Sequence, residues 1–306
     1  MAVILSESRS TKSRSLIALL ILVVVWVVVL TSSGNDDGIP ESLPEAAGAG
    51  SATEHPGDAS PTFESNDINN INDGRPLAVV IETQATPNLI PLMLHFSNVL
   101  GPHWSVVLFT LEEFWESPSS LAFDRALDAG RIEVRFLPPE TQLKSSRAVS
   151  LFLTSPWFWE QLQSAYRILL WQTDSIICSK AEQAVEDFFG YDYIGAPIQK
   201  AYGKGYNGGL SIRNPKLFLQ ITQESDFEHS GVQFEDQWFF NQTSARVGQG
   251  VVLPTEETAK YFAVESIYHE RPLGYHQPSR WQSGHMTEIE EWCPEVKMIL
   301  GRRRAY

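Results

Sequence analysis

In Ile168-Leu169-Leu170-Trp171-Gln172-Thr173-Asp174-Ser175, four apolar residues run straight into an amide, a hydroxyl, a carboxylate and a second hydroxyl. An unbroken apolar run reads as a strand covered on both faces, over Arg167–Trp171. Bulk packing would not choose an acid at its end. In an open α/β sheet, ligands are met in the crevice at the carboxyl ends of strands. Gln172, Thr173, Asp174 and Ser175 therefore stand where a nucleotide, or the metal ion that neutralises its phosphates, would be met. The competing reading is local: Asp-Ser is favoured in turns and caps through hydrogen bonds to nearby backbone.

Outward from this strand the texture is regular. Leu77–Ile81, Trp104–Phe109 and Ile132–Phe136 read as earlier strands. Helical spacing of Leu89, Leu92, Met93, Phe96 and Leu100 predicts a helix over Asn88–Leu100, stopped by Gly101-Pro102. Phe114–Leu127 reads as partly helical, and Pro156–Ala165 and Ala181–Phe189 as helices. Tyr193–Ala196 and Gly209–Ile212 read as shorter strands, Pro215–Thr222 as a helix, and Glu235–Phe240 as a helix start. The last 40 residues read as loop. Strands and helices alternating in this way predict an α/β single domain over 75–306, with a mainly parallel mixed sheet flanked by helices.

The amino terminus carries the compartment. Leu16–Leu30 contains no polar side chain, and the run through Ser33 would span about 27 Å as a helix, near the hydrocarbon thickness. Arg9, Lys12 and Arg14 precede it; the segment Thr31–Gly74 holds nine acidic residues and no Lys or Arg. That asymmetry predicts a cytosolic tail (1–15), a type II signal anchor (16–33) and a lumenal domain in a Golgi or endoplasmic reticulum membrane. The alternative is a cleaved signal peptide. Residues 34–74, rich in Ser, Gly, Pro, Asn and acids, predict a disordered acidic stem. The net charge of −14 argues against a nucleic-acid partner, which a basic footprint would serve. Cys178 and Cys293 either pair or stay as buried thiols. Asn241-Gln242-Thr243 is the sole sequon, marking Asn241 for glycosylation.

Three further stretches carry chemistry. Paired glycines in Tyr206-Asn207-Gly208-Gly209-Leu210-Ser211 allow close approach of a ligand, with Asn207 offering an amide to a sugar hydroxyl; a tight turn is the plainer reading. In Phe234-Glu235-Asp236-Gln237-Trp238, an acid ahead of an aromatic helical run could act as general base, or both acids could complement the helix dipole. His276 could ligate a metal or phosphate, though a lone histidine is more often structural. No zinc-type cluster, P-loop, dinucleotide fingerprint or nucleophile elbow is present.

The order of these motifs, with Tyr191-Asp192-Tyr193-Ile194-Gly195-Ala196-Pro197, Phe262-Ala263-Val264-Glu265 and Pro272-Leu273-Gly274-Tyr275-His276 among them, resembles the DUF5672 proteins. These are similar to GT-A-fold glycosyltransferases, the β-1,3-galactosyltransferase-like enzymes included. The resemblance covers about Leu77–Gln277. It implies a GT-A-like domain that binds a nucleotide-sugar donor and a glycan or glycoconjugate acceptor. It implies Asp174 as the last acid of an Asp-x-Asp motif, His276 as a late metal ligand, and Mn²⁺ or Mg²⁺ as cofactor. Asn207, Gly208, Gly209 and Glu235 would face sugar and acceptor, and Asp236 would be the base of an inverting transfer. Gln172 stands where that motif carries its first acid; an amide can bond a ribose hydroxyl but brings no charge to a metal. Gln172 also keeps a different class open, a lumenal carbohydrate-binding or scaffold protein that retains the fold without catalysis. A glycoside hydrolase is weaker, because no opposed carboxylate pair stands out by spacing.

Overall fold

A computed structural model describes residues 74–84 and 86–300. Strands β1 (Leu77–Ile81) and β2 (Ser105–Thr110) are buried along nearly their whole length. Their valines suit a pleated surface covered on both faces. Between them, α1 (Leu89–Leu100) buries Leu89, Leu92, Met93, Phe96 and Leu100, the stripe read from the sequence. Helix α2 (Leu121–Asp128), capped by the Ser120 hydroxyl, leads to β3 (Ile132–Phe136). This strand lies at the sheet edge, where the Glu133–Arg135 pair (2.8 Å) keeps its outer face charged. Helices α3 (Ser146–Leu153) and α4 (Pro156–Glu160) then precede β4 (Ile168–Trp171).

With β6 (Tyr193–Pro197) and β7 (Tyr206–Arg213), these strands form a six-stranded sheet in the order β3-β2-β1-β4-β7-β6. Pairings β1–β2, β2–β3 and β1–β4 are parallel, and β7 runs antiparallel to both β4 and β6. β7 alone opposes the common direction. The chain therefore adopts the expected α/β class, with a mainly parallel mixed sheet flanked by helices. A smaller sheet holds β5 (Ser175–Ile177), β8 (Ala263–Val264) and β9 (Gly274–His276) in the order β5-β9-β8. Helices α5 (Pro215–Glu224), α6 (Glu235–Ser244) and α7 (Glu256–Phe262) lie between β7 and β8, and α8 (Pro278–Trp281) and α9 (Met286–Trp292) follow β9.

Three expectations are corrected. The helix over Ala181–Phe189 is one 3₁₀ turn, Val185–Phe188. Its adjacent rings are drawn to different partners, Phe188 to Phe262 and Phe189 to Trp104 and Tyr166. The helix begun at Pro156 stops at Glu160, because Ala165 bridges to Gly74 at the head of β1. The last 40 residues are not loop: they contain β9, α8 and α9. Cys178 and Cys293 form a disulfide that ties this segment to the end of β5. The expected tail, membrane anchor and stem lie outside the described residues, Gly74 excepted. Among the described residues, no helix is long and apolar enough to cross a membrane.

Candidate functional site

Strand registers assemble the first half of the site. Trp171 faces Leu210 across β4–β7, so the next residue, Gln172, donates its N–H to the Gly209 carbonyl at 2.8 Å. The chain then reverses: Ser175 N–H donates to the Gln172 carbonyl at 2.8 Å, leaving Thr173 and Asp174 as central turn residues. Asp174 is thus both a turn residue and a strand-end acid. β5 sets Ser175 opposite His276, and Gln277 N–H donates to the Asp174 carbonyl at 3.0 Å. β8, parallel to β9, sets Val264 beside Tyr275 and thereby brings Glu265 to His276.

His276 lies at the centre of these contacts. Its Nδ1 is 3.0 Å from Glu265 Oε1, and its Nε2 is 3.5 Å from Asp174 Oδ1 and 3.2 Å from Gln172 Oε1. The Gln277 amide donates to Asp174 Oδ2 at 2.8 Å. Gln277 holds that position with φ 47°, the one non-glycine residue at positive φ among the described residues. Burial by itself would lower the His276 pKa; the hydrogen-bonded carboxylates of Asp174 and Glu265 outweigh it and push it up to about 9. The imidazole is therefore charged at neutral pH and donates from both nitrogens. Gly209 permits the packing: a Cβ there would sit 2.4 Å from His276 Nε2.

The second half begins one residue earlier. A Cβ on Gly208 would meet Arg213 Nη2 at 2.7 Å, Glu235 Oε1 at 3.1 Å and Asp236 Cβ at 3.2 Å. Gly208 N–H donates to Asp236 Oδ2 at 3.1 Å, and Gln237 N–H to Oδ1 at 2.7 Å. Glu235 Oε2 accepts from the Ser150 hydroxyl at 2.8 Å. Both acids are buried in the first turn of α6, so their helix-dipole role holds as well. Arg213, wholly buried, donates from Nε to Ser211 Oγ at 3.0 Å within a cage of Trp159, Tyr193, Phe218 and Phe239. Burial and the Glu235 charge push Asp236 up to about 7, against the pull of the two backbone N–H groups and Arg213. With Asp236 protonated, Glu235 and Arg213 leave the cluster neutral.

Gly208 and Gly209, neighbours in sequence, thus join two clusters: Gln172, Asp174, Glu265 and His276 on one side, Arg213, Glu235 and Asp236 on the other. Other expected residues are used internally. Asn207 Oδ1 accepts from Gly209 N–H at 2.7 Å, leaving its NH₂ as the group that could reach a ligand. Thr173 Oγ1 donates to Glu82 Oε2 at 3.4 Å, and Ser175 Oγ to the Gly209 carbonyl at 2.5 Å. Asn241 is exposed on α6, while the hydroxyl of its sequon partner Thr243 is buried and donates to the Phe239 carbonyl at 2.8 Å. Five contributors carry no sequence expectation: Glu82, Ser150, Arg213, Glu265 and Gln277. Glu82 and Glu265 follow β1 and β8 as Asp174 follows β4, so an acid after a short apolar run was the available signal.

Asp174 Oδ1 and Gln172 Oε1 both lie within 3.5 Å of His276 Nε2. Among the described residues, no group of three or more His, Cys, Asp or Glu is placed to hold a metal ion. The Asp174 carboxylate and the Gln172 side-chain amide oxygen are hard oxygen donors that suit Mg²⁺ or Mn²⁺ with remaining ligands from phosphate and water. His276, protonated on both nitrogens, could join them only after losing its Nε2 proton.

Residues 131–276 match the DUF5672 family model, described as a protein of unknown function. The DUF5672 span ends on His276 and includes both clusters; Gln277 lies one residue beyond it, and Glu82 well before its start. Among solved structures, the chain is similar to the glycosyltransferase GlyE of Streptococcus pneumoniae TIGR4 (TM-score 0.38, 13% identity, 77% of this chain and 66% of that one). It is also similar to the mannosyltransferase PcManGT of Pyrobaculum calidifontis in complex with GDP-Man and Mn²⁺ (0.38, 9%, 60% and 56%). A third is the galactosyltransferase LgtC with donor and acceptor sugar analogues (0.32, 13%, 60% and 67%). The chain spans less than two thirds of the length of the first two. No curated protein matches it.

Proposed function

We propose that this chain is a glycosyltransferase, hexosyltransferase-like, moving a sugar from a nucleoside-diphosphate donor to a hydroxyl of a glycan or glycoconjugate with inversion. The supporting observation is the pair of polar clusters meeting at Gly208-Gly209, beside the carboxyl end of a buried parallel strand. In this reading Gln172, Thr173, Asp174 and Ser175 meet the donor, and Asp174 with the Gln172 side-chain oxygen would hold Mn²⁺ or Mg²⁺, His276 joining them on loss of its Nε2 proton. A bound divalent ion would neutralise the leaving diphosphate. Glu265 orients His276 and Gln277 orients Asp174. Asp236, as carboxylate, takes the proton of the acceptor hydroxyl, with Asn207, Gly208, Gly209 and Glu235 around sugar and acceptor. The test is a panel of nucleoside-diphosphate sugars with the full chain, with and without Mn²⁺, and Asp174→Ala as control. Donor turnover dependent on Asp174 is expected; no transfer or hydrolysis of any donor refutes catalysis by this chain.

A second reading, a carbohydrate-binding protein without catalysis, is favoured by Gln172 and by the closed pairing of His276 with two carboxylates. The two readings separate by thermal shift. Nucleotide at 100 times its Kd adds about 2.7 kcal/mol to an enzyme, whereas a lectin responds to glycan alone. We further propose the type II arrangement in a Golgi or endoplasmic reticulum membrane, with the stem holding the domain in the lumen. The Cys178–Cys293 disulfide suits an oxidising lumen. Protease protection of the carboxyl-terminal domain in sealed microsomes tests it.

A further inference from the structure

Tyr202 is 55% exposed on the loop between β6 and β7, yet that loop is pinned throughout. Ile198 N–H donates to the Gly205 carbonyl (3.0 Å) and Tyr202 N–H to the Gln199 carbonyl (2.8 Å). Gln199 N–H donates to Ser266 Oγ at 3.0 Å, and Gln237 Nε2 donates to the Tyr202 carbonyl at 3.4 Å. Gly203 and Gly205 lie so close to α6 that a Cβ would reach Gln237 Oε1 at 2.5 Å and the Phe240 ring at 2.4 Å. The Tyr202 ring meets the edge of Trp281, centroids 4.9 Å apart at 62°. Arg280 packs over the Trp281 ring at 4.7 Å and donates to Gln277 Oε1 at 3.0 Å.

Each anchor of this aromatic pair adjoins a residue of the clusters above. Ser266 follows Glu265, Gln237 follows Asp236, and Trp281 ends the short helix that starts after Gln277, the residue bonded to Asp174. A rigidly held aromatic presented to solvent at that place is built to receive something flat and partly apolar. We propose that Tyr202, braced edge-on by Trp281, is the platform for the acceptor sugar, stacking the C–H face of a pyranose while its hydroxyl is directed to Asp236. This rests on the glycosyl-transfer reading. A nucleobase is the other planar candidate, but the donor's phosphates belong at Asp174, while the Tyr202 carbonyl is tied to the residue after Asp236.

The experiment is saturation-transfer NMR on the full chain with methyl glycosides of glucose, galactose, mannose and N-acetylglucosamine, and separately with UDP and GDP. Tyr202→Ala, Trp281→Ala and Tyr202→Phe are compared with wild type, folding being checked by circular dichroism. Ring-proton signals of at least one glycoside should fall about five-fold in both alanine variants, the worth of one stacked ring. They should persist in Tyr202→Phe, with nucleotide signals unchanged. Should Trp281→Ala fail to fold, exposed Tyr202 decides alone. Glycoside signals equal in Tyr202→Ala and wild type, absent from wild type, or replaced by a loss of nucleotide signal would overturn the platform. Glycoside binding that depends on Tyr202, with no nucleotide bound by any variant, keeps the platform and defeats the transferase reading.

Discussion

Gly209→Ala is the sharpest perturbation of the proposed site. The new Cβ would lie 2.4 Å from His276 Nε2, 2.5 Å from Cδ2 and 2.7 Å from Cε1, where ordinary contact begins near 3.4 Å. The imidazole must retreat by about 1 Å. It is 4% exposed and bonded to Glu265 at 3.0 Å, so retreat either breaks that bond or pushes β9 from β5. Overpacking of this kind costs about 1–3 kcal/mol. At about 2–4 °C per kcal/mol for a domain of this size, the melting temperature should fall by roughly 2–12 °C. Scanning calorimetry of the full chain reads it, with Gly248→Ala as control, since a Cβ there meets nothing within 4 Å. Thermal stabilisation by UDP or GDP with Mn²⁺ should be lost in Gly209→Ala and kept in the control. A Gly209→Ala protein that melts with the control and keeps its nucleotide response would refute the packing of His276 on this glycine.

Other consequences are as definite. Asp236→Asn should lower turnover by about 10²–10⁴-fold with donor binding intact, and wild-type rate should rise as pH passes about 7, where the carboxyl ionises; equal loss of donor binding would make Asp236 structural. Because the His276 pKa is raised to about 9, its stabilisation is complete below pH 6.5 and lost as pH rises to about 9. The decline amounts to up to about 3 kcal/mol, and denaturant titrations should find it missing from His276→Gln. Arg213→Met removes the cation facing Glu235 and Asp236; it should cost about 3–5 kcal/mol and move the rate limb to higher pH, and a variant as stable as wild type would deny that charge balance. Reducing Cys178–Cys293, which closes a loop of 115 residues, should cost about 4–5 kcal/mol, read as a drop in melting temperature with dithiothreitol.

What was legible in the sequence had a local cause. Val79-Val80 and Ile168–Trp171 announce buried strands because a continuous apolar run has few other homes, and Asp174 announces itself by ending one. Gly208-Gly209 and Glu235-Asp236 were legible as chemistry, though not as two sides of one place. The partners of Asp174 were not, because they arrive by pairing across about a hundred residues. β5 and β9 have three residues each and β8 two, too short for any periodicity. Yet their register alone puts His276 opposite Ser175 and Glu265 beside His276. Helix α3 escaped for a related reason: its buried face is Ser150 and Leu153, so a hydroxyl aimed at Glu235 breaks the apolar stripe. The same holds for Arg213, a charged residue at the end of an apolar strand whose aromatic cage comes from four other segments. Four polar residues that stand beside or at the end of apolar runs, Ser150, Asp174, Arg213 and Glu265, belong to or contact the two clusters. Buried Ser105 and Thr222 bond only to backbone carbonyls, so a break in pattern marks the site only where its side chain meets a charged group.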